Sequence, residues 1–237
     1  MDPEAYSAAL GALRRARETG SRLDTPFVEH FPVDGASVST LGDLLGTETL
    51  FASDDVAARV DELQFDLGEG PSWQAVATAA VVCDVDIRTG SDPRWPMFRE
   101  AVSRENVGTI YALPMVIGPL QLGAIDLYCH DSCTMDDGLL EQGESLARLV
   151  ARDVFRRALR HAGRDPEQPD SEPLSRRIIH QATGMVLAQL DVSPDDATMI
   201  IQSHAYSSGR SMKDLARAIV SGDVRFERRD SGIEVIG

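Results

Sequence analysis

Lysine is almost missing from this chain: of 23 basic residues, 22 are arginine and only Lys213 is lysine. We read that scarcity as the base-composition bias of a GC-rich genome. Positive charge is short altogether, since 38 acids leave a net charge of −15. The shortage is uneven. Residues 1–170 hold 29 acids against 15 bases, and residues 171–237 hold 9 against 8. The first part therefore repels polyanions, and the second is close to neutral. Nucleic-acid binding has to use a small local patch, because no global basic field exists. No apolar run approaches the roughly 18 residues that suggest a membrane helix. The N-terminal "MDPEAYSAALGALRRARETG" puts acids before bases and has no apolar stretch, so it does not read as a secretion signal. Three cysteines, Cys83, Cys129 and Cys133, without a CxxC pair fit a reducing cytoplasm. No nucleophile elbow, P-loop, HExxH or paired CxxC pattern is present, which leaves the common hydrolase, nucleotide and zinc chemistries without a signature.

What is present divides the chain into stretches of different character. Tyr6, Leu10 and Leu13 recur at helical spacing, which predicts an N-terminal helix within residues 1–24. Residues 25–160 alternate between strand-like and helix-like runs. "HAGRDPEQPDSEP", residues 161–173, is polar with three prolines and reads as a linker. Residues 174–237 begin with three helical segments and end in a tail.

The middle region reads as ββααβαββα. "GASVSTLG" and "GTETLFAS" form a first hairpin. "SDDVAARVDELQF" is a helix capped by Ser53, and Pro71 suits the first position of a second helix in "GEGPSWQAVATA". "AVVCDVDI" is a strand and "DPRWPMFREAVSREN" a helix. "GTIYALPMVIGPLQLGAIDLYCH" contains two strands that turn at Gly118-Pro119, and a long helix follows from about residue 135 to 160. That order predicts an α+β fold, an antiparallel sheet flanked by helices, with a three-helix bundle after it. In the bundle, Ser193 caps a helix that opens Pro194-Asp195-Asp196, and Ser211 with Asp214 forms a capping box. Gly209 and Gly222 stand where helices end. The first helix is expected to bury Ile178, Ala182, Met185, Val186 and Leu190. The second buries Ala197, Ile200, Ile201 and Ala205, and the third Met212, Leu215, Ala216, Ile219 and Val220.

The middle order, with "DLGEGPSWQAV" before the third strand and "LGAIDLY" in the last, resembles a GAF domain, a small-molecule-sensing and dimerising module. "IIHQATGMVLAQLDVSPDDATMIIQSHAYSSGRSMKDLARAIV" resembles an ANTAR domain, a three-helix RNA-binding antitermination module. Ile178, Ala182, Gly184, Ser193, Ala197, Ala205 and Ala216 stand at that family's spacing. The resemblance implies RNA hairpins as a partner, contacts along the face that holds Gly184, and two copies acting together.

Gly184 interrupts a helix at a cost of about 0.5–1 kcal/mol relative to alanine. It either permits a close helix crossing or leaves bare backbone for a nucleic acid or protein partner. Two positions where the family often carries lysine and arginine hold Thr183 and Gln202, which supply hydrogen bonds but no charge. The candidate RNA contacts are Arg177, Gln181, Thr183, Gly184, Gln202, Arg210, Lys213 and Arg217. The last three share a helix face by their spacing; an ordinary solvated face is the plain alternative.

Other candidates for chemistry are weaker. Trp73, Trp95, Phe98 and Tyr111 are either the lining of a sensor pocket or ordinary core. Cys129 and Cys133 are a redox pair or incidental buried cysteines. His130 lacks a second ligand at metal spacing. Asp84, Asp86 and Asp126 are expected to be solvated or hydrogen-bonded rather than catalytic. No cofactor is assigned. The expected function is a signal-responsive antitermination regulator, not an enzyme. The alternatives are an adaptor whose bundle docks a protein and, ranked below both, a methionine sulfoxide reductase of GAF type. The long helix with Leu139, Leu140, Leu146, Leu149, Val150, Val154 and Leu159, together with the N-terminal helix, is expected to form a homodimer interface.

Overall fold

The computed structural model describes residues 3–19, 22–42, 44–89, 93–161, 176–229 and 232–236. The chain divides into two compact units, Met1–Pro169 and Asp170–Gly237. The expected linker lies outside the described residues except His161, which ends a helix. Among the described residues no helix is long and apolar enough to cross a membrane.

In the first unit, α1 (Pro3–Thr19) and α2 (Thr25–His30) precede β1 (Gly35–Thr40) and β2 (Glu48–Ala52). Then come α3 (Asp55–Leu67), α4 (Pro71–Thr78), β3 (Val82–Asp84), α5 (Pro96–Val102), β4 (Thr109–Ile117), β5 (Leu120–Cys129) and α6 (Asp137–His161). Behind the N-terminal helix the expected ββααβαββα order is present, with α2 added. Six residues with Pro26 in the first turn are too short to show a period, so α2 left no pattern in the sequence. The cap of α3 is Asp54, whose carboxylate accepts from Ala57 N at 2.8 Å, not Ser53. Pro71 opens α4 as expected, and Gly118 turns β4 into β5 with φ of 57°.

The sheet runs β2-β1-β5-β4-β3, antiparallel throughout. Its two faces differ in chemistry because strand side chains alternate. Ala36, Val38, Leu113, Ile125 and Leu127 face α1, α2 and α6. On the other face Ile110, Ala112 and Tyr128 meet α3, α4 and α5, but the central rows are Ser37, Ser39 and Asp126. One side of the sheet is therefore an ordinary apolar core, and the other has a polar centre.

Helix α6 spends most of its expected surplus inside its own protomer. Leu139, Leu146, Val150 and Val154 are buried, and Leu140 and Leu149 half-buried. The N-terminal helix contributes Ala9, Leu13 and Ala16 to the same cluster. Only Leu159 remains well exposed, at 60%. The amphipathic stripes that suggested a second chain are thus largely met by the sheet and by each other.

In the second unit, α7 (Arg177–Leu190), α8 (Pro194–Ser208) and α9 (Met212–Ser221) form the expected bundle. Ser193 and Ser211 cap as predicted, accepting from Asp196 N and Asp214 N at 3.1 Å each. Gly209 and Gly222 end their helices with φ of 66° and 84°. The face of α7 is rotated from expectation: Ile179, Ala182, Val186 and Leu190 are buried, and Ile178 and Met185 only partly. Ile200 and Val220 are likewise half-buried. The expected tail is a hairpin, β6 (Arg225–Arg229) with β7 (Gly232–Ile236). Phe226 anchors it, 2% exposed, with its backbone N–H donating to Gln189 Oε1 at 2.9 Å.

Candidate functional site

The exposed side of α7 follows from its buried stripe. With Ile179, Ala182, Val186 and Leu190 turned inward, Arg177, Gln181, Gly184 and Ala188 fall together on the outer face, and all four are exposed. A Cβ built on Gly184 would meet nothing within 4 Å. Among the described residues no close helix crossing needs this glycine. Gly184→Ala should accordingly stabilise the second unit by about 0.5–1 kcal/mol, read as a higher urea midpoint, because helical alanine fits the space without strain.

Thr183 is half-buried, and its hydroxyl donates back to Ile179 O at 2.9 Å, so its proton is spent inside the helix. Gln202 is half-buried on α8. Arg210 does not belong to α9: it lies in the turn ahead of the Ser211 cap, its N–H bonded to Ala205 O. It still reaches α9 at Asp214, the residue that Arg217 also contacts. Arg210 Nη2 donates to Asp214 O at 3.1 Å, and Arg217 Nη1 to Asp214 Oδ1 at 2.7 Å. Arg210 and Arg217 are exposed and Lys213 half-buried. The stripe is thus compact, with one carboxylate offsetting part of its charge.

Sequence reading missed the bases of the hairpin. Arg225, Arg228 and Arg229 are exposed, Arg228 donating to Leu190 O at 3.2 Å and Arg229 pairing with Glu234 at 3.0 Å. The alternation in "VRFERR" was the available signal. Beside them, Met199, Ile200, Phe226, Ile233 and Val235 line a groove of about 460 Å³.

In the first unit the four candidate pocket aromatics do not converge. Trp95 and Phe98 share the cluster under α3 and α5, and the Arg94 guanidinium lies 4.5 Å from the Trp95 ring centroid. Trp73 is on α4, where Nε1 donates to Gln64 O at 2.8 Å. Tyr111 is on the opposite face of the sheet, its hydroxyl donating to Cys133 O at 3.0 Å. Strand alternation decides this, because its neighbours Ile110 and Ala112 are the residues that turn toward the Trp95 side.

The same face holds a buried polar network that sequence reading did not assemble. Asp126 accepts from Gln64 Nε2 at 2.6 Å and from Ser72 Oγ, while Asp61 accepts from Ser39 Oγ at 2.6 Å and from Thr49 Oγ1. Burial pushes the Asp126 carboxyl up to about 7; nearby Asp61 adds to the rise, and the Ser72 and Gln64 bonds oppose it. Asp126 was expected to be solvated or hydrogen-bonded, and it is hydrogen-bonded but fully buried. Asp84 is also buried and ion-paired with Arg99. The period-2 polar positions in "GASVST" and "AIDLY" were the signal that could have exposed the network.

Cys129 and Cys133 are joined as a disulfide, and Cys83 is exposed and free. The turn that follows β5 brings their Cα atoms to 6.4 Å, within bridging range. The cysteine count therefore no longer argues for a reducing compartment.

Residues 170–220 match the ANTAR domain family. Over the first unit the chain is similar in fold to the GAF domain of a phosphoenolpyruvate-protein phosphotransferase from Coxiella burnetii. The TM-score there is 0.51 at 13% identity, covering 68% of this chain and 99% of that one. A GAF domain/HD domain protein from Geobacter sulfurreducens aligns with a TM-score of 0.45 at 15% identity, over 58% of this chain and 90% of that one. No curated protein matches the chain.

Proposed function

We propose that this protein, a GAF-fold unit followed by an ANTAR domain, is a signal-responsive antitermination regulator that binds hairpins in nascent RNA. Its parts are the N-terminal helix 1–24, a sensor and dimerisation region 25–160, a linker 161–173 and the RNA-binding region 174–237. The observation that carries the reading is Gly184: an exposed helix face kept bare although nothing among the described residues needs the space. A nucleic acid can approach such backbone closely, with Arg177 and Gln181 flanking it and Arg210, Lys213 and Arg217 supplying phosphate contacts. Gln202 contributes hydrogen bonds without charge, and Thr183, whose hydroxyl proton goes to Ile179 O, can only accept. A small-molecule ligand beside Trp95 and Phe98, the two candidates that share one cluster, is the proposed input, and no catalytic role is assigned. Filter binding of the full chain to paired RNA hairpins at several salt concentrations tests the reading; salt-independent or absent binding overturns it.

A specific observation favours one other reading. Met199 is 61% exposed and Ile233 44%, and both line the groove between α8 and the β6–β7 hairpin. An apolar surface of that kind suits a protein partner better than RNA. If RNA binding fails, the adaptor function takes its place.

We also propose a homodimer, now with a smaller apolar contribution: exposed Leu159 and half-buried Tyr6 and Leu140 are what α1 and α6 leave for it. Light scattering at micromolar concentration should return twice the chain mass, and a monomer mass ends the proposal.

A further inference from the structure

In a unit short of positive charge, eight of the fifteen bases of residues 1–170 lie on α1 and α6. Arginine toward a helix C-terminus complements the helix dipole, which explains their presence but not where they converge. Arg14 and Arg17 from α1 and Arg152 and Arg156 from α6 line one groove of about 250 Å³, floored by leucine side chains. Asp153 is the single acid on its wall. Its Oδ1 is 3.4 Å from Arg17 Nε and 3.0 Å from Arg156 Nη1, so one carboxylate serves two guanidiniums. Arg14 and Arg152 are exposed, and among the described residues neither has an ion-pair partner. Four cations and one anion leave the groove with three uncompensated positive charges, an arrangement that repels itself unless an anion enters.

We propose that the α1–α6 groove binds a small free polyanion with two adjacent phosphate groups. Guanidinium forks match phosphate oxygens in bidentate geometry, and arginines from two helices can grip both phosphates from opposite sides. A diphosphate balances three positive charges where a monophosphate does not. The volume lies below the roughly 300–1,000 Å³ of sites for drug-sized ligands, so a dinucleotide is too large. The leucine floor accepts a small apolar group attached to the phosphates. A ligand held this way bridges α1 to α6 and fixes the N-terminal helix on the long one. This site is independent of RNA binding by the second unit.

Calorimetric titration of the full chain with inorganic pyrophosphate tests the proposal. One saturable site is expected, weakening as salt rises. Arg14→Gln with Arg152→Gln should lower affinity at least about tenfold, since charge-assisted bonds to the ligand disappear and no internal ion pair is broken. Asp153→Asn should bind several-fold more tightly, because it removes the acid that competes for Arg17 and Arg156. Arg160→Gln, on α6 but off the groove, should change affinity less than about twofold. Absence of binding, an unchanged double variant, or an equal loss in Arg160→Gln overturns the site. Retention on phosphatidylglycerol vesicles without heat from pyrophosphate overturns it in favour of a lipid surface. Circular dichroism melts establish that each variant is folded.

Discussion

Lys213→Glu with Arg217→Glu is expected to weaken RNA binding strongly and to flatten its salt dependence. On the proposed RNA-binding reading, positions 183 and 202 supply no charge, so Arg210, Lys213 and Arg217 are expected to carry much of the phosphate binding. Removing one phosphate-bound cation lowers the log–log salt slope by about 0.7–0.9, and removing the pair by about 1.4–1.8. Charge reversal adds repulsion, so affinity should fall further than neutralisation alone would bring. Folding should survive, because the buried stripe of α9 is Met212, Leu215, Ala216 and Ile219. The Arg217–Asp214 ion pair that the variant gives up is exposed, with side chains 61% and 57% accessible, and such pairs are worth little. Filter binding measures affinity and slope together. Wild-type affinity in the folded double variant would exclude this face as the RNA site.

The second large effect concerns Asp126. Its folded pKa of about 7 lies above its ordinary value of 3.8, so the folded state holds a proton that the unfolded chain releases. For a raised carboxyl, stability is fully present below about pH 4, falls as pH rises through the window between 3.8 and about 7, and is flat above it. At about 1.4 kcal/mol per unit, this group should cost the first unit about 2–3 kcal/mol between pH 5 and pH 8. Asp126→Asn has nearly the same shape and does not titrate. The variant should therefore be more stable than wild type at pH 8, with the advantage shrinking toward pH 5. Both tryptophans, Trp73 and Trp95, lie in this unit, so fluorescence-monitored urea unfolding reports on it alone. Parallel pH profiles for the two proteins would mean that Asp126 is ionised in the folded state.

Much of the fold was legible because it rests on local chemistry. Ser193-Pro194-Asp195-Asp196 and Ser211-x-x-Asp214 announce helix starts by hydrogen-bonding and dipole rules that act within one turn. Gly118-Pro119, Gly209 and Gly222 mark ends the same way. The order of strands and helices along the chain followed from period-2 runs separated by helical ones, and the family resemblances agreed with it. Short elements left less trace: α2 has too few residues for a period, and "VRFERR" and "GIEVI" read as a tail because a two-stranded hairpin is stable only when docked. Phe226 and Gln189, far apart in sequence, supply that docking.

The candidate sites divide along the same line. Composition determined that this chain carries no global basic field, so that any RNA contact has to be local, and local spacing offered residues 177–184 and 210–217 as the proposed patch. Packing alone decided which way each residue faces. A helix period fixes relative positions within α7, yet only packing against α8 and α9 decided that Ile179 rather than Ile178 turns inward. That choice leaves Gly184 in the open. Strand alternation turned Tyr111 away from the face that Trp95 covers from the start of α5, and it set Ser39 and Asp126 over α3 and α4. The buried carboxyls and the four-arginine groove are unions of residues far apart along the chain. Polar alternation in "GASVST" and "AIDLY" hinted at the first, but which residues meet in either was set by tertiary folding, because burial and Coulomb interaction depend on distance in space.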